Sequence, residues 1–329
     1  MNTVRRSQSI AELIRTEITD NVLLYHAQYT MPDRAEKEKD IIEKTGREST
    51  TNERKGLVVV GTQVLEQSLD IDFDLLITDI CPIDLLLQRI GRLHRHDHER
   101  PDSLNLPRCC VITDEYENDK TGSRGIYGTW LLKETLDKLP NSVTLPNDIS
   151  PLVQAVYNSF DDSDEYQNYK NKNDILVGKA SAFLLNKPKR KDIHGLLDRS
   201  VNDNQAEASV RDGGESVEVL VMKLYSDGTI GFIDGTMLSG ELTDDECLHI
   251  AEQRLRMPSR FSSKWNIDKT IEEIEKKSRP YITTWQKNYI LRGQLVLFLD
   301  DNNETELANC KLKYDYKNGL TYKRSDELE

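Results

Sequence analysis

Two short runs, "GLVVVGT" (56 to 62) and "DLLITDI" (74 to 80), are apolar on both faces and are joined by a polar turn. Strands that are apolar and β-branched on both sides belong to parallel sheets covered by helices on both faces. The next segment, "IDLLLQRIGRLHRH" (83 to 96), carries its apolar residues at helical spacing. An α/β domain is therefore expected. Its polar groups just past the carboxyl ends of the strands are the first candidates for a site, because open parallel sheets bind ligands there.

The same alternation fills residues 1–115, in the order α, β, α, β, β, α, β. The spacing predicts a helix over 6–18, with Ile10, Leu13, Ile14 and Ile18 on one face, and a strand over 21–27. A helix over 31–46 opens at Pro32-Asp33 and stops at Gly46, and "RCCVITDE" (108 to 115) closes the unit as a strand. A doubly wound unit ordinarily begins with a strand. This one begins with a helix, so its sheet is expected to lack the first strand. Residues 116–215 read as a connector with helices near 126–138 and 150–158, an acidic, disordered "FDDSDEY" (160 to 166) and a basic "NKPKRK" (186 to 191). Residues 216–329 read as a smaller mixed α+β domain. It has strands at 216–224, 228–233 and 293–300, a helix over 243–255 opened by a capping box at Thr243 and Glu246, and a closing hairpin turned at Asn318-Gly319.

A length of 329 residues suits about two domains. The net charge of -13 excludes a surface that is basic throughout and leaves room for a local basic groove. Five cysteines without a CxxC pair fit thiols in a reducing cytoplasm. No run approaches the roughly 18 apolar residues of a membrane span, and "MNTVRRSQSIAELIR" has no apolar signal core. A soluble cytoplasmic protein without membrane contact is expected.

On the 83–96 helix, Gln88, Arg92 and Arg95 are spaced by four and three and would share a face, with Arg89 one step round. Two readings fit. The arginines can meet a polyanion, and guanidiniums suit the charge of a phosphoryl group in transfer. Alternatively they favour a helix C-terminus and pair with surface carboxylates.

"GTQVLEQSLDIDFD" followed by "QRIGRLHRH" resembles motifs V and VI of superfamily 2 helicases. In this spelling it is similar to the helicase part of the CRISPR-associated helicase-nuclease of type I systems. "NTVRRSQSIAELI" (2 to 14), "LLYHAQYTMPDR" (23 to 34), "SPLVQAVY" and "EASVRDGGESVEVLV" carry the likeness further. The resemblance implies a second RecA-like lobe plus a C-terminal domain, working with ATP, Mg2+, single-stranded DNA and the guide-RNA surveillance complex (Cascade). It implies Arg89 and Arg92 as arginine fingers, with Gln88 near the γ-phosphate and the attacking water. Gly61, Asp70 and Arg95 would lie on the nucleotide side, Asp70 facing the ribose. Thr62, Gln63, His26 and Arg34 would lie along the DNA. Where the family writes Arg-Phe this chain has Gln28-Tyr29, which removes a guanidinium from position 28.

ATP hydrolysis of this kind needs a GxxxxGK[ST] loop and a magnesium-binding carboxylate motif. These 329 residues hold no such loop and no His-Asp nuclease domain. The resemblance thus implies a C-terminal piece of the larger protein, either a subunit that meets a separately encoded first lobe or the remnant of a disrupted gene, and inactive alone. A non-catalytic module holding single-stranded DNA or the surveillance complex is the rival reading. "HRHDH" (94 to 98) is not expected to bind metal, since side chains at i and i+2 on a helix diverge. Tyr314, Tyr316 and Tyr322 can stack bases or pack the hairpin, and "NKPKRK" can track phosphates or be a solvated loop.

Overall fold

A computed structural model describes residues 1–66, 69–113, 122–181, 216–238, 240–263 and 265–325. The basic run at 186–191 and the segment 211–213 lie outside the described residues. The chain divides into two compact units, Met1–Ser123 with Glu215–Glu329, and Arg124–Gly214.

The first unit opens with α1 (Val4–Glu17), whose N-terminus is capped by Thr3 accepting from the Arg6 amide. Its buried stripe is Ser7, Ala11 and Arg15, while Leu13 and Ile18 are exposed, so the predicted apolar face is rotated. β1 (Val22–Tyr25) pairs in parallel with β2 (Val58–Gly61), and α2 (Met31–Thr45) connects towards it through the short α3 (Thr51–Arg54). β3 (Leu75–Asp79) pairs in parallel with β4 (Arg108–Ile112). The parallel strands therefore form two two-stranded sheets rather than one. Met1 and Asn2 link their carboxyl ends. The Met1 ammonium donates to the Gly61 carbonyl at 2.7 Å, and the Asn2 amide donates to Asp79 Oδ2 at 2.9 Å.

The C-terminal part of this unit centres on β5 (Glu218–Leu224), which pairs antiparallel with β6 (Ile230–Gly231) and β7 (Arg254–Arg256) and in parallel with β8 (Val296–Leu299). α4 is described with the site below. Before β7 runs a helix (Asp244–Glu252) whose expected capping box is present in both halves. An antiparallel meander of β9 (Glu304–Leu307), β10 (Cys310–Asp315) and β11 (Gly319–Arg324) ends the described chain. Val219, Val221, Leu297, Leu299, Leu312, Tyr314 and Leu320 share one core, covered by a helix over Ile267–Ser278. Tyr314 is fully buried there, as strand packing predicts.

The Asn318-Gly319 turn is held by the lobe. Gln8 Nε2 donates to the carbonyls of Asn318 and Leu320, Arg15 to Asn318 Oδ1 and the Lys317 carbonyl, and the Tyr29 hydroxyl to the Lys317 carbonyl. Gly319 has φ of 69°, and a Cβ there would lie 2.4 Å from the Gln28 carbonyl oxygen. Only glycine satisfies both conditions.

In the second unit, helices over Ser123–Tyr127, Thr129–Lys138 and Ile149–Tyr157 match the expected connector helices to within a few residues. A further helix, Asp164–Ser181, begins inside the acidic run 160–166, where a disordered loop was expected. The reason is local packing: Tyr166 and Tyr169, three apart on that helix, lie against buried Trp130, whose indole donates to Asp161.

Candidate nucleotide half-site

Gly61 ends β2 in close quarters: a Cβ on it would lie 2.4 Å from Leu65 Cδ1 and 2.8 Å from the Tyr25 carbonyl oxygen. A tight 3-10 turn, Gln63–Leu65, follows. Thr62 is buried and Gln63 Nε2 donates to the Asn2 carbonyl at 3.0 Å. α4 (Ile83–Ile90) begins after Pro82 and is capped by Gly91. The expected helix over 83–96 therefore stops early. Beyond Gly91 the chain turns back to Phe73, whose amide donates to the Arg92 carbonyl while the His94 amide donates to the Phe73 carbonyl. Arg92 and Arg95 are consequently delivered by a loop rather than by a shared helix face.

Arg89, implied as a finger, is directed inward. Its Nε donates to Glu66 Oε1 at 2.8 Å, Nη1 to Thr78 Oγ1 at 2.5 Å and to the Asp79 carbonyl, and Nη2 to Asn2 Oδ1 at 3.0 Å and to Glu66 Oε1 at 2.6 Å. All five guanidinium hydrogens can be accounted for within the fold, and the residue is 7% exposed. Arg89 ties the turn after β2 to the end of β3, and in this conformation it offers nothing to a phosphate.

Arg92 differs. Among the described residues only Nη2 has a protein acceptor, the Glu66 carbonyl at 2.8 Å, and its Nε is buried without a partner. Desolvation, with the neighbouring Arg95 charge, lowers its pKa. Such a cation gains from an arriving anion. Arg95 lies beside it, half exposed, with Nε on Asp70 Oδ1 at 2.8 Å; His96 Nε2 meets the same oxygen at 3.0 Å. Desolvation opposes ionisation of Asp70, but the hydrogen bonds from Arg95 and His96 prevail and hold its carboxyl below the usual range. Gln88 is exposed at the end of α4.

Asp72, which sequence reasoning passed over, anchors the loop. Fully buried, it accepts from the Arg95 amide at 2.7 Å and pairs with Arg54 at 3.2 Å and with Arg100. Its signal was the repeated aspartate in "DIDFD". His94, His96 and His98 follow the end of α4 rather than extending it, and among the described residues no group of three or more His, Cys, Asp or Glu is placed to hold a metal ion. The Nε of Arg92 and the half-exposed Arg95 leave guanidinium donors that suit an anion.

Of the residues expected along DNA, Thr62 and Gln63 border the turn, and Arg34 Nε donates to the Tyr25 hydroxyl at 3.4 Å. His26 is fully buried, stacked on Tyr29 under the Asn318-Gly319 turn, and does not face solvent. Its Nδ1 accepts from the Gln28 amide at 3.1 Å, so the proton resides on Nε2, which donates to the Asn318 carbonyl at 3.0 Å. Burial, aided by the nearby Lys37 charge, pushes its pKa down to about 3. The unfolded chain, titrating near 6.5, then binds a proton that the folded chain refuses. Stability is whole above about pH 6.5 and falls as pH drops towards 3, by up to about 1.4 kcal/mol per pH unit. Urea melts at pH 7 and pH 5 are expected to differ by about 2 kcal/mol more in the wild type than in His26→Gln; equal differences would refute this.

Two pairs of parallel strands, with helices packed on β1 and β2 and arginines on the loop that follows α4, make up an α/β lobe. Residues 1–98 match the family profile described as "CRISPR-associated nuclease/helicase Cas3, C-terminal", and residues 211–320 match "Cas3 C-terminal domain". The chain is 38% identical over its whole length to the Cas3 nuclease/helicase of Streptococcus thermophilus, and 30% identical over 86% of its length to that of Escherichia coli K12. It spans only 38% and 32% of those relatives. The crystal structure of T. fusca Cas3-ATP superposes over 98% of this chain and 38% of its own, with a TM-score of 0.77 at 24% identity. A chain of a CRISPR RNA-guided surveillance complex in a pre-nicking state matches 97% of this chain with a TM-score of 0.67 at 26% identity. The chain belongs to the Cas3 family and corresponds to a C-terminal portion of it.

Proposed function

We propose that this chain supplies the second-lobe half of an ATP site and one wall of a groove for single-stranded DNA, in an antiviral Cas3 helicase that works in the cytoplasm with the guide-RNA surveillance complex. The observation that carries this reading is Arg92: half-buried on the loop after α4, against the turn that follows β2, with a Nε unpartnered among the described residues and a lowered pKa, beside Arg95. Arg92 and Arg95 stabilise charge on the transferring phosphoryl group, Gln88 orients the attacking water and Asp70 receives the ribose. Arg89 holds the turn that carries them. Thr62, Gln63 and Arg34 border the strand. When bound, Mg2+ neutralises charge between the β and γ phosphates; that ion and the phosphate-binding loop belong to a first lobe. By itself the chain hydrolyses no ATP.

The test is fluorescence anisotropy of labelled single-stranded DNA with this chain and a separately expressed first lobe from the Streptococcus thermophilus relative. The mixture is expected to show salt-dependent affinity that shifts with a non-hydrolysable ATP analogue. Salt-dependent binding without a nucleotide effect would support a plain DNA-binding module instead.

A further inference from the structure

Residues 276–299 carry five cations, Lys276, Lys277, Arg279, Lys287 and Arg292, and no carboxylate, in a chain whose net charge is -13. From Arg279 to Gln294 this stretch is a loop of successive tight turns between the helix over Ile267–Ser278 and β8. Ile282, Trp285 and Leu291 are buried and fasten the loop to the tail core. Gln286 closes it on itself: its side-chain oxygen accepts from the Gly293 amide at 3.2 Å, and its carbonyl accepts from Arg292 Nε at 3.4 Å. Asn288 braces the far side. Its side-chain oxygen accepts from the Ile290 amide at 2.8 Å, and its carbonyl accepts from the Arg292 amide at 3.0 Å.

Lys287, Tyr289 and Arg292 are exposed on this closed loop. Tyr289 is 82% exposed, and among the described residues no side-chain hydrogen bond or ion pair holds it or Lys287. A single exposed ring needs no explanation. A ring presented between two cations on a braced, acid-free loop is the arrangement that grips an unpaired strand. We propose that this loop is a binding site for single-stranded nucleic acid, DNA or RNA, carried by the tail and distinct from Thr62, Gln63 and Arg34 of the lobe. A base stacks on Tyr289 while Lys287 and Arg292 meet the flanking phosphates. An acidic protein segment would engage the cations and leave the ring unused. The site stands independently of Arg92 and of any nucleotide.

This chain alone tests it by fluorescence anisotropy with labelled oligothymidylate, oligouridylate and an abasic strand, each of about ten nucleotides, within the usual site size. The abasic strand is expected to bind least, and the tighter of the other two identifies the source. Tyr289→Ala is expected to weaken binding about 5- to 150-fold, the worth of one stacked base, and Tyr289→Phe to keep it. Lys287→Ala with Arg292→Ala is expected to reduce the slope of log affinity against log salt by about 1.4, two phosphates at about 0.7 each. Lys323→Ala, at an exposed lysine of β11, is expected to leave that slope unchanged. All these side chains are exposed, so circular dichroism is expected to match the wild type. No binding by the wild type, an abasic strand bound equally well, or full affinity in Tyr289→Ala overturns the proposal. Equal competition by polyglutamate would overturn it in favour of an acidic protein partner. Binding unchanged in every variant would place the strand on the lobe and leave the reading of Arg92 standing. Loss of the nucleotide effect in the mixture with a first lobe would leave this site standing instead.

Discussion

Arg92→Ala is expected to leave the chain folded and, in a mixture with a first lobe, to lower ATP hydrolysis by a factor of about 10³ to 10⁵, the range an arginine that stabilises phosphoryl transfer supplies. Such a factor corresponds to about 4–7 kcal/mol of transition-state stabilisation. The fold should tolerate the change because Arg92 has one acceptor, a main-chain carbonyl, and its Nε is already unpartnered. The loss should fall on kcat with KM for ATP nearly constant, since the charge it meets grows in the transition state. Initial rates at saturating DNA check this. A variant with wild-type kcat would remove Arg92 from the chemistry.

Arg89→Ala is expected to do the reverse and act on the fold. The ion pair with Glu66 is buried on both sides, at 8% and 2% side-chain exposure. Removing one partner leaves a carboxylate charged in the core, at a cost of about 3–5 kcal/mol. Total stabilities run from about 5 to 15 kcal/mol, so the variant should unfold at markedly lower urea concentration. Far-UV circular dichroism across a urea series measures the shift. Arg89→Met combined with Glu66→Leu should recover most of it, because the pair is replaced by apolar volume with no orphaned charge. A full-strength midpoint in Arg89→Ala would show that the pair does not hold the end of β3.

These two outcomes separate arginines that the sequence presents as near equivalents, and they mark where legibility ended. The strand at Val58–Gly61 was readable because its β-branched run requires cover on both faces; Leu75–Asp79 was readable as an apolar strand, but Leu75 and Ile77 are exposed, so the cover expected on both faces does not hold there. The box at Thr243 and Glu246 and the turn at Asn318-Gly319 were readable because their chemistry is local. Gly91 was not: an isolated glycine in a helical pattern can be tolerated or can cap, and here it caps, which moves Arg92 and Arg95 onto a loop. The inward turn of Arg89 depends on Thr78, Glu66 and Asn2, three segments whose convergence no spacing records. His26 is buried by a turn 292 residues away in the chain. The helix over Ile267–Ser278 carried a readable signal, Ile267, Ile271 and Ile274 on one stripe, that the sequence reading passed over.

The half-site itself is tested most directly by release of inorganic phosphate from ATP in the presence of single-stranded DNA, measured for this chain alone, for the first lobe of the Streptococcus thermophilus relative alone, and for their mixture. Turnover is expected only in the mixture, and is expected to vanish with Arg92→Ala. Turnover by this chain alone, or a folded mixture that binds DNA yet never hydrolyses ATP, would contradict it.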